Sequence, residues 1–110
     1  MSRAPNPVEA FTLEQPDRDT LALSGGLTFT TAANAFAEGV RALSAGTQTR
    51  LDLGGISRAD SAGLACVLAL AAAASRGGRR LAVVHWPEGL RSLAEVCDAV
   101  ALLVPDAATR

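Results

Sequence analysis

The stretch Ala62–Ala74 carries no charged residue and is mostly alanine, and it limits what this chain can fold into more than any other feature. A membrane-spanning helix needs about 20 consecutive apolar residues, and this run falls well short of that. Leu64, Val67, Leu68 and Ala71 recur at three- and four-residue steps, so the run reads as a buried helix. Its alanines allow close approach to a sheet or a partner. Asp60 and Ser61 stand at its start as capping residues, and Gly77-Gly78 stop it. Such a helix has to be covered, so the flanking segments must supply a second layer.

They read as strands and two further helices. A weak alternation over Val8–Leu13 predicts an edge strand, followed by a polar turn at Gln15–Asp19. Thr20–Ser24, with Leu21 and Leu23 on one face, completes a hairpin that Gly25-Gly26 ends. Ala33, Phe36, Val40 and Leu43 mark the inner stripe of a first helix, with Thr30 or Thr31 as cap and Gly46 as terminator. Thr49–Leu53 reads as a strand closed by Gly54-Gly55, and residues 56–60 as a loop into the alanine-rich helix. Arg80–His85 is nearly continuously apolar, which predicts a strand in the middle of the sheet. Trp86 and Pro87 lead into a third helix whose stripe is Leu90, Leu93, Ala94 and Cys97. Residues 101–104 fit either a last strand or a frayed turn. The order strand, strand, helix, strand, helix, strand, helix predicts an α/β domain with a mostly parallel sheet and one antiparallel hairpin at its start. The 110 residues suit one domain over 8–110, with residues 1–7, which hold Pro5 and Pro7, as a flexible leader.

Charge and residue usage remove whole classes of function. Ten basic side chains against eleven acidic ones give a net charge of −1, so no field draws nucleic acid or anionic lipid. Every basic residue is arginine, which excludes the phosphate-binding lysine of a P-loop and any Schiff base. The single histidine, His85, ends a strand and suits a capping or solvent-facing role. Cys66 and Cys97 sit at apolar helix positions and read as free, buried thiols. Two separated cysteines and one histidine lack the spacing of a metal site. No G-x-S-x-G elbow surrounds Ser61, and the glycine pairs lack the G-x-G-x-x-G fingerprint. Asp52 reads as a carboxylate near a sheet edge. Neither catalytic residues nor a metal or cofactor site are expected. The segment Met1–Pro7 has no apolar core of the signal-peptide kind, which predicts a cytosolic chain without direct membrane insertion.

The junction at Asp60-Ser61 stands apart. A helix start offers unpaired N–H groups and the positive end of the helix dipole. Capping alone accounts for an Asp-Ser pair there. A phosphate on Ser61 would add about −1.5 to −2 charges and change what docks without melting the helix. The small neighbours Ala59, Ala62 and Gly63 suit close docking of another chain, and Arg58 stands ready to pair with a partner carboxylate. Trp86 reads as a packing residue in preference to an interface anchor.

The segment Leu51–Leu64, LDLGGISRADSAGL, resembles the core of STAS domains, the fold of sulfate-transporter C-termini and anti-sigma-factor antagonists. Their signature is an aspartate, a serine or threonine, a small residue and a glycine at a helix start. The resemblance extends from about Phe11 to Leu103 and implies a mostly parallel sheet of four to five strands with helices mainly on one face. Leu27–Thr30, Arg58–Ala65 and Pro87–Ala94 look most like the STAS subunit of Mla phospholipid-transport ABC systems. That likeness implies a non-enzymatic cytoplasmic subunit, peripheral to the inner membrane, that binds the transporter ATPase, supports its assembly and activity, and contributes to outer-membrane lipid asymmetry. Arg58, Asp60, Ser61, Ala62 and Gly63 are then the expected partner-binding residues. The alternative it implies is an anti-sigma-factor antagonist in which a kinase-type anti-sigma factor phosphorylates Ser61.

Overall fold

Leucines at alternate positions build the middle of the sheet. In the computed structural model, which describes residues 10–96, the elements are β1 (Phe11–Asp17), β2 (Thr20–Leu27), α1 (Ala32–Ala45), β3 (Arg50–Ala59), α2 (Ser61–Arg76), β4 (Ala82–Val84) and α3 (Glu88–Val96). The sheet order is β1-β2-β3-β4, with β1 antiparallel to β2 and the other two pairings parallel. Leu21 and Leu23 of β2 and Leu51 and Leu53 of β3 are buried, while the intervening Ala22 and Asp52 are only partly covered. That alternation turns one face of the sheet toward Leu64, Val67 and Leu70 of α2. The helices touch in sequence, α1 with α2 and α2 with α3, and so form one layer.

The hairpin, the α/β class and the mostly parallel sheet agree with the sequence, although β1 runs on through Gln15 and Pro16 to Asp17, where a polar turn is expected, and four further features differ. β2 runs through Gly25-Gly26 to Leu27 instead of ending there. Gly25 has φ +85°, and a Cβ at that position would collide with the Ala10 carbonyl, so the strand continues through a residue that needs glycine. β3 likewise runs through Gly54-Gly55 to Ala59, so residues 56–60 are not a loop. Two register shifts explain the misreading. Ala22 pairs with Asp52 but Ser24 with Gly55, and Gly25 pairs with Ile56 but Gly26 with Arg58, so β3 carries one surplus residue at each step. The inward positions therefore pass from Leu53 to Ile56, three residues on, and break the period-two pattern that marks a strand. The third correction concerns β4, which ends the sheet order among the described residues instead of lying near its middle. Only three of its residues join the ladder, and Ala82 is exposed. The central strands are β2 and β3, whose leucines supply the buried face.

The fourth correction is the inner face of α1. Ala33 is exposed, Phe36 and Val40 are half-buried, and the buried line is Ala35, Gly39 and Leu43. Gly39 has Leu70 of α2 directly above it, leaving no room for a larger side chain. Apolar periodicity alone selects the bulkier neighbouring stripe because glycine and alanine carry little hydropathy signal. On α2, Leu64 and Val67 are buried as expected, Leu68 and Ala71 are half-buried, and Gly63, Cys66, Leu70 and Ala74 complete the inner face. Burial pushes the Cys66 thiol up to about 11, so it stays an inert, protonated packing group. Leu90 and Ala94 of α3 are buried and Leu93 is half-buried. Residues 1–7, Cys97 and residues 101–104 lie outside the described residues.

At the far end of α1, Arg79 holds the layer together. Its guanidinium donates to the carbonyls of Leu43 at 2.8 Å, Gly46 at 3.0 Å and Gln48 at 3.1 Å. A fourth, longer contact reaches Gln48 Oε1 at 3.4 Å. Gln48 is itself fully buried and donates through Nε2 to the Ala42 carbonyl at 3.2 Å. One half-buried cation thus ties the last turn of α1 to the segment that leads into β3.

Candidate functional site

The surplus residues of β3 decide where its C-terminal end arrives. Ala59 pairs with Leu27, the last residue of β2, so Asp60 emerges beside the turn Thr28–Thr31 that leads into α1. The Asp60 carboxylate fastens three pieces of backbone. Oδ1 accepts from the N–H groups of Ala62 at 2.9 Å and Gly63 at 3.1 Å, which caps α2. Oδ2 accepts from the Phe29 N–H at 3.0 Å, across 31 residues of sequence. The Phe29 N–H, followed by those of Gly63 and Ala62, holds the Asp60 carboxyl below the ordinary carboxylate value of 3.8.

The turn that meets this carboxylate is tightly bonded on its own side. Thr31 occupies the N-cap position of α1 but gives α1 no side-chain cap. Its hydroxyl instead donates to the Gly26 carbonyl at 2.9 Å and accepts from the Thr28 N–H at 2.9 Å. The Thr28 carbonyl accepts from the Thr31 and Ala32 N–H groups, and the Thr28 and Thr30 hydroxyls lie 3.0 Å apart. A cleft of about 430 Å³ runs between the turn and the end of β3, lined by Thr28, Phe29, Thr30, Arg58, Ala59 and Asp60.

The expected site residues fall in one place but in different environments. Ser61 is the first residue of α2 and is exposed, and its hydroxyl takes no part in the clamp. Arg58 is exposed on the last turn of strand before it. Ala62 is half-buried. Gly63 is buried against β2, where a Cβ would collide with the Leu27 carbonyl, so glycine is what lets α2 start this close to the sheet. Sequence reasoning missed Phe29, which is 82% exposed at the rim of the cleft. A lone phenylalanine between threonines carries no periodicity that would separate a displayed ring from a packed one.

His85 and Asp52 form a second polar pair, away from this end. His85 has φ 58°, and its Nδ1 lies 3.0 Å from Asp52 Oδ1, which also accepts from the Gly54 N–H at 2.8 Å. That N–H, helped by His85, holds the Asp52 carboxyl below its ordinary range. The histidine side chain is 70% exposed, as expected of a strand-end residue facing solvent. Trp86 is half-buried and packs against the core. Among the described residues no group of three His, Cys, Asp or Glu side chains is placed to hold a metal ion, and no helix is long and apolar enough to cross a membrane.

Comparison with known proteins agrees with this architecture. The anti-sigma factor antagonist SpoIIAA in its unphosphorylated form superposes with a TM-score of 0.66 at 21% identity, covering 82% of this chain and 82% of that one. The Bacillus cell fate determinant SpoIIAA in the phosphorylated form gives 0.63 at 21% identity, covering 82% of this chain and 85% of that one. At that identity the likeness establishes the fold. A search of curated proteins gives no match. The family described as "Mlab, STAS domain" matches residues 11–105, so both elements of the clamp, the Phe29 turn and the Asp60 cap, lie within the matched segment, and the chain belongs to that family.

Proposed function

We propose that this chain is a non-enzymatic, cytoplasmic STAS subunit that binds the ATPase of an Mla-type phospholipid ABC transporter at the inner membrane. It supports assembly and activity of that complex and so contributes to lipid asymmetry of the outer membrane. The family match over residues 11–105 is the observation that carries the reading. The geometry supports it: the end of the domain around Ser61, Arg58 and the Phe29 turn is exposed and held by backbone hydrogen bonds, as a docking surface requires. Asp60, Ala62 and Gly63 belong to this surface chiefly by fixing its shape.

Two observations favour a second reading, a phosphorylation-regulated anti-sigma-factor antagonist. The Ser61 side chain is exposed, and the fold is shared with SpoIIAA, solved in phosphorylated and unphosphorylated forms. Asp60 already takes the Ala62 and Gly63 N–H groups. A phosphate on Ser61 would therefore add charge beside a carboxylate and act on the partner, leaving the fold in place. Affinity purification from the native cell separates the two. Recovery of an ATPase with its permease supports the transporter reading, whereas recovery of a kinase-fold anti-sigma factor with phosphate on Ser61 replaces it.

A further inference from the structure

The end of the domain that carries Ser61 also displays a phenyl ring to solvent. The chain has only four aromatic residues, Phe11, Phe29, Phe36 and Trp86. Three of them pack against the core, and Phe29 stands 82% exposed. The turn that carries it is tied down by hydrogen bonds. The Phe29 N–H is held by Asp60, the Thr28 N–H by the Thr31 hydroxyl, and the Thr28 carbonyl by two N–H groups of the helix start. An aromatic side chain on a fixed turn loses little backbone freedom when it is captured, which is the property of an interface anchor.

Two opposite charges stand beside it. Arg58 is exposed on the same cleft, and among the described residues its guanidinium is in no salt bridge. The nearby carboxylate of Asp60 is engaged by three backbone N–H groups. The rim therefore presents a ring, the hydrogen-bonded Asp60 anion, an Arg58 cation outside any salt bridge among the described residues, and the hydroxyls of Thr28, Thr30 and Ser61. A surface of that kind complements an apolar recess with an acid side chain placed to meet Arg58 and away from Asp60.

Building on the transporter reading, we propose that Phe29 is the apolar anchor of this surface, and that the ATPase receives it in an apolar recess whose bordering Asp or Glu side chains pair with Arg58. Asp60 acts as a positioning residue: it sets where the ring stands without touching the partner.

The test is calorimetric titration of the full-length chain into the purified ATPase of the same cell's transporter, at two salt concentrations. Phe29→Ala weakens binding by about tenfold or more, as loss of an anchor does, with an unchanged melting temperature, and Phe29→Leu recovers part of the loss. Arg58→Gln flattens the salt dependence that the parent shows. Asp60→Ala weakens binding, and Asp60→Asn, whose single acceptor oxygen serves either the Phe29 N–H or the α2 cap but not both, restores only part of it. Equal affinities for the parent and Phe29→Ala overturn the anchor while leaving the transporter reading standing. A parent chain that does not bind the ATPase overturns that reading, and this proposal with it.

Discussion

The two ends of the α1–α2 layer are fastened by opposite charges, and they leave very different surfaces behind. At the Arg79 end a half-buried cation turns inward and contacts four oxygens, among them carbonyls of Leu43, Gly46 and Gln48. At the Asp60 end an exposed anion gathers three N–H groups, and the groups around it stay outside: Ser61, Arg58, Thr30 and the Phe29 ring. Each clamp supplies the partners that a helix terminus lacks. The first end offers little to another molecule because its polar atoms are already engaged. The second gains rigidity from a single side chain and keeps its remaining groups free. One end is closed on itself, and the other is held in shape with its aromatic and polar groups exposed.

Substitutions at the two ends should separate these roles, and the largest effect belongs to the Arg79 end. Arg79→Ala strands several carbonyls next to a buried glutamine and should lower stability by about 3 kcal/mol, in the range for charged hydrogen bonds and the acceptors they leave behind. Chemical denaturation reads the loss, and partner affinity measured well below the melting point should stay at the parental value. A large loss of affinity there would show that the two ends are coupled.

Next is Gly63→Ala, which drives a methyl group into the Leu27 carbonyl. It should cost about 2 kcal/mol, as overpacking does, and should also weaken binding, because α2 must move away from the turn. A neutral effect on both would mean that α2 can back away freely and that the close approach is not required.

Asp60→Ala removes a cap, a loss of about 1 kcal/mol, and should erase part of the acid sensitivity of the domain. The sign follows from the lowered folded value. Below the ordinary carboxylate value of 3.8 the unfolded chain takes up a proton that the folded chain refuses, so stability falls with falling pH. The contribution is complete above that value and is lost as pH drops through the folded one. Urea titrations across that window should show a shallower acid slope for Asp60→Ala than for the parent, with the remainder due in part to Asp52, whose carboxyl is lowered in the same sense. An identical slope would remove Asp60 from the account.

The smallest change in stability is expected of Ser61→Asp. An acid in the first turn of a helix is tolerated, and stability should stay within about 1 kcal/mol of the parent. Partner binding should fall nonetheless, by comparison of the two proteins in the same titration. Unaltered binding would take Ser61 out of the docking surface and leave Phe29 and Arg58 to carry it.

Much of the fold was legible because β2, α2 and α3 obey simple periodicities. Leu21 and Leu23 alternate, Leu64 and Val67 follow a helical step, and Asp60 caps where an acid before a helix should. What was hidden lay where the backbone departs from those periods or where the decisive residue has no hydropathy signal. β3 reads as shorter than it is because the surplus residues at Gly54-Gly55 and beyond shift its inward positions. Apolar pattern points to the wrong face of α1 because Gly39, buried against Leu70, counts for nothing on an apolar scale. Arg79 could not be singled out among ten arginines, since its importance rests on carbonyls 31 to 36 residues away. For the candidate site, the residues of the motif at 58–63 lie together at the junction of β3 and α2. The Phe29 turn joins it only through a pairing between β2 and β3 that local pattern cannot reveal.

β3 spans ten residues against the eight of β2 alongside it. That excess works as slack in a measuring tape: it lets the ends of both strands finish level although their starts are also level. Removing one residue from the Gly54-Gly55 region would draw Asp60 back by about 3.3 Å, the rise of one strand residue, and beyond reach of the Phe29 amide. A deletion in a strand interior would thereby dismantle the Asp60–Phe29 clamp while leaving every residue of it in the sequence.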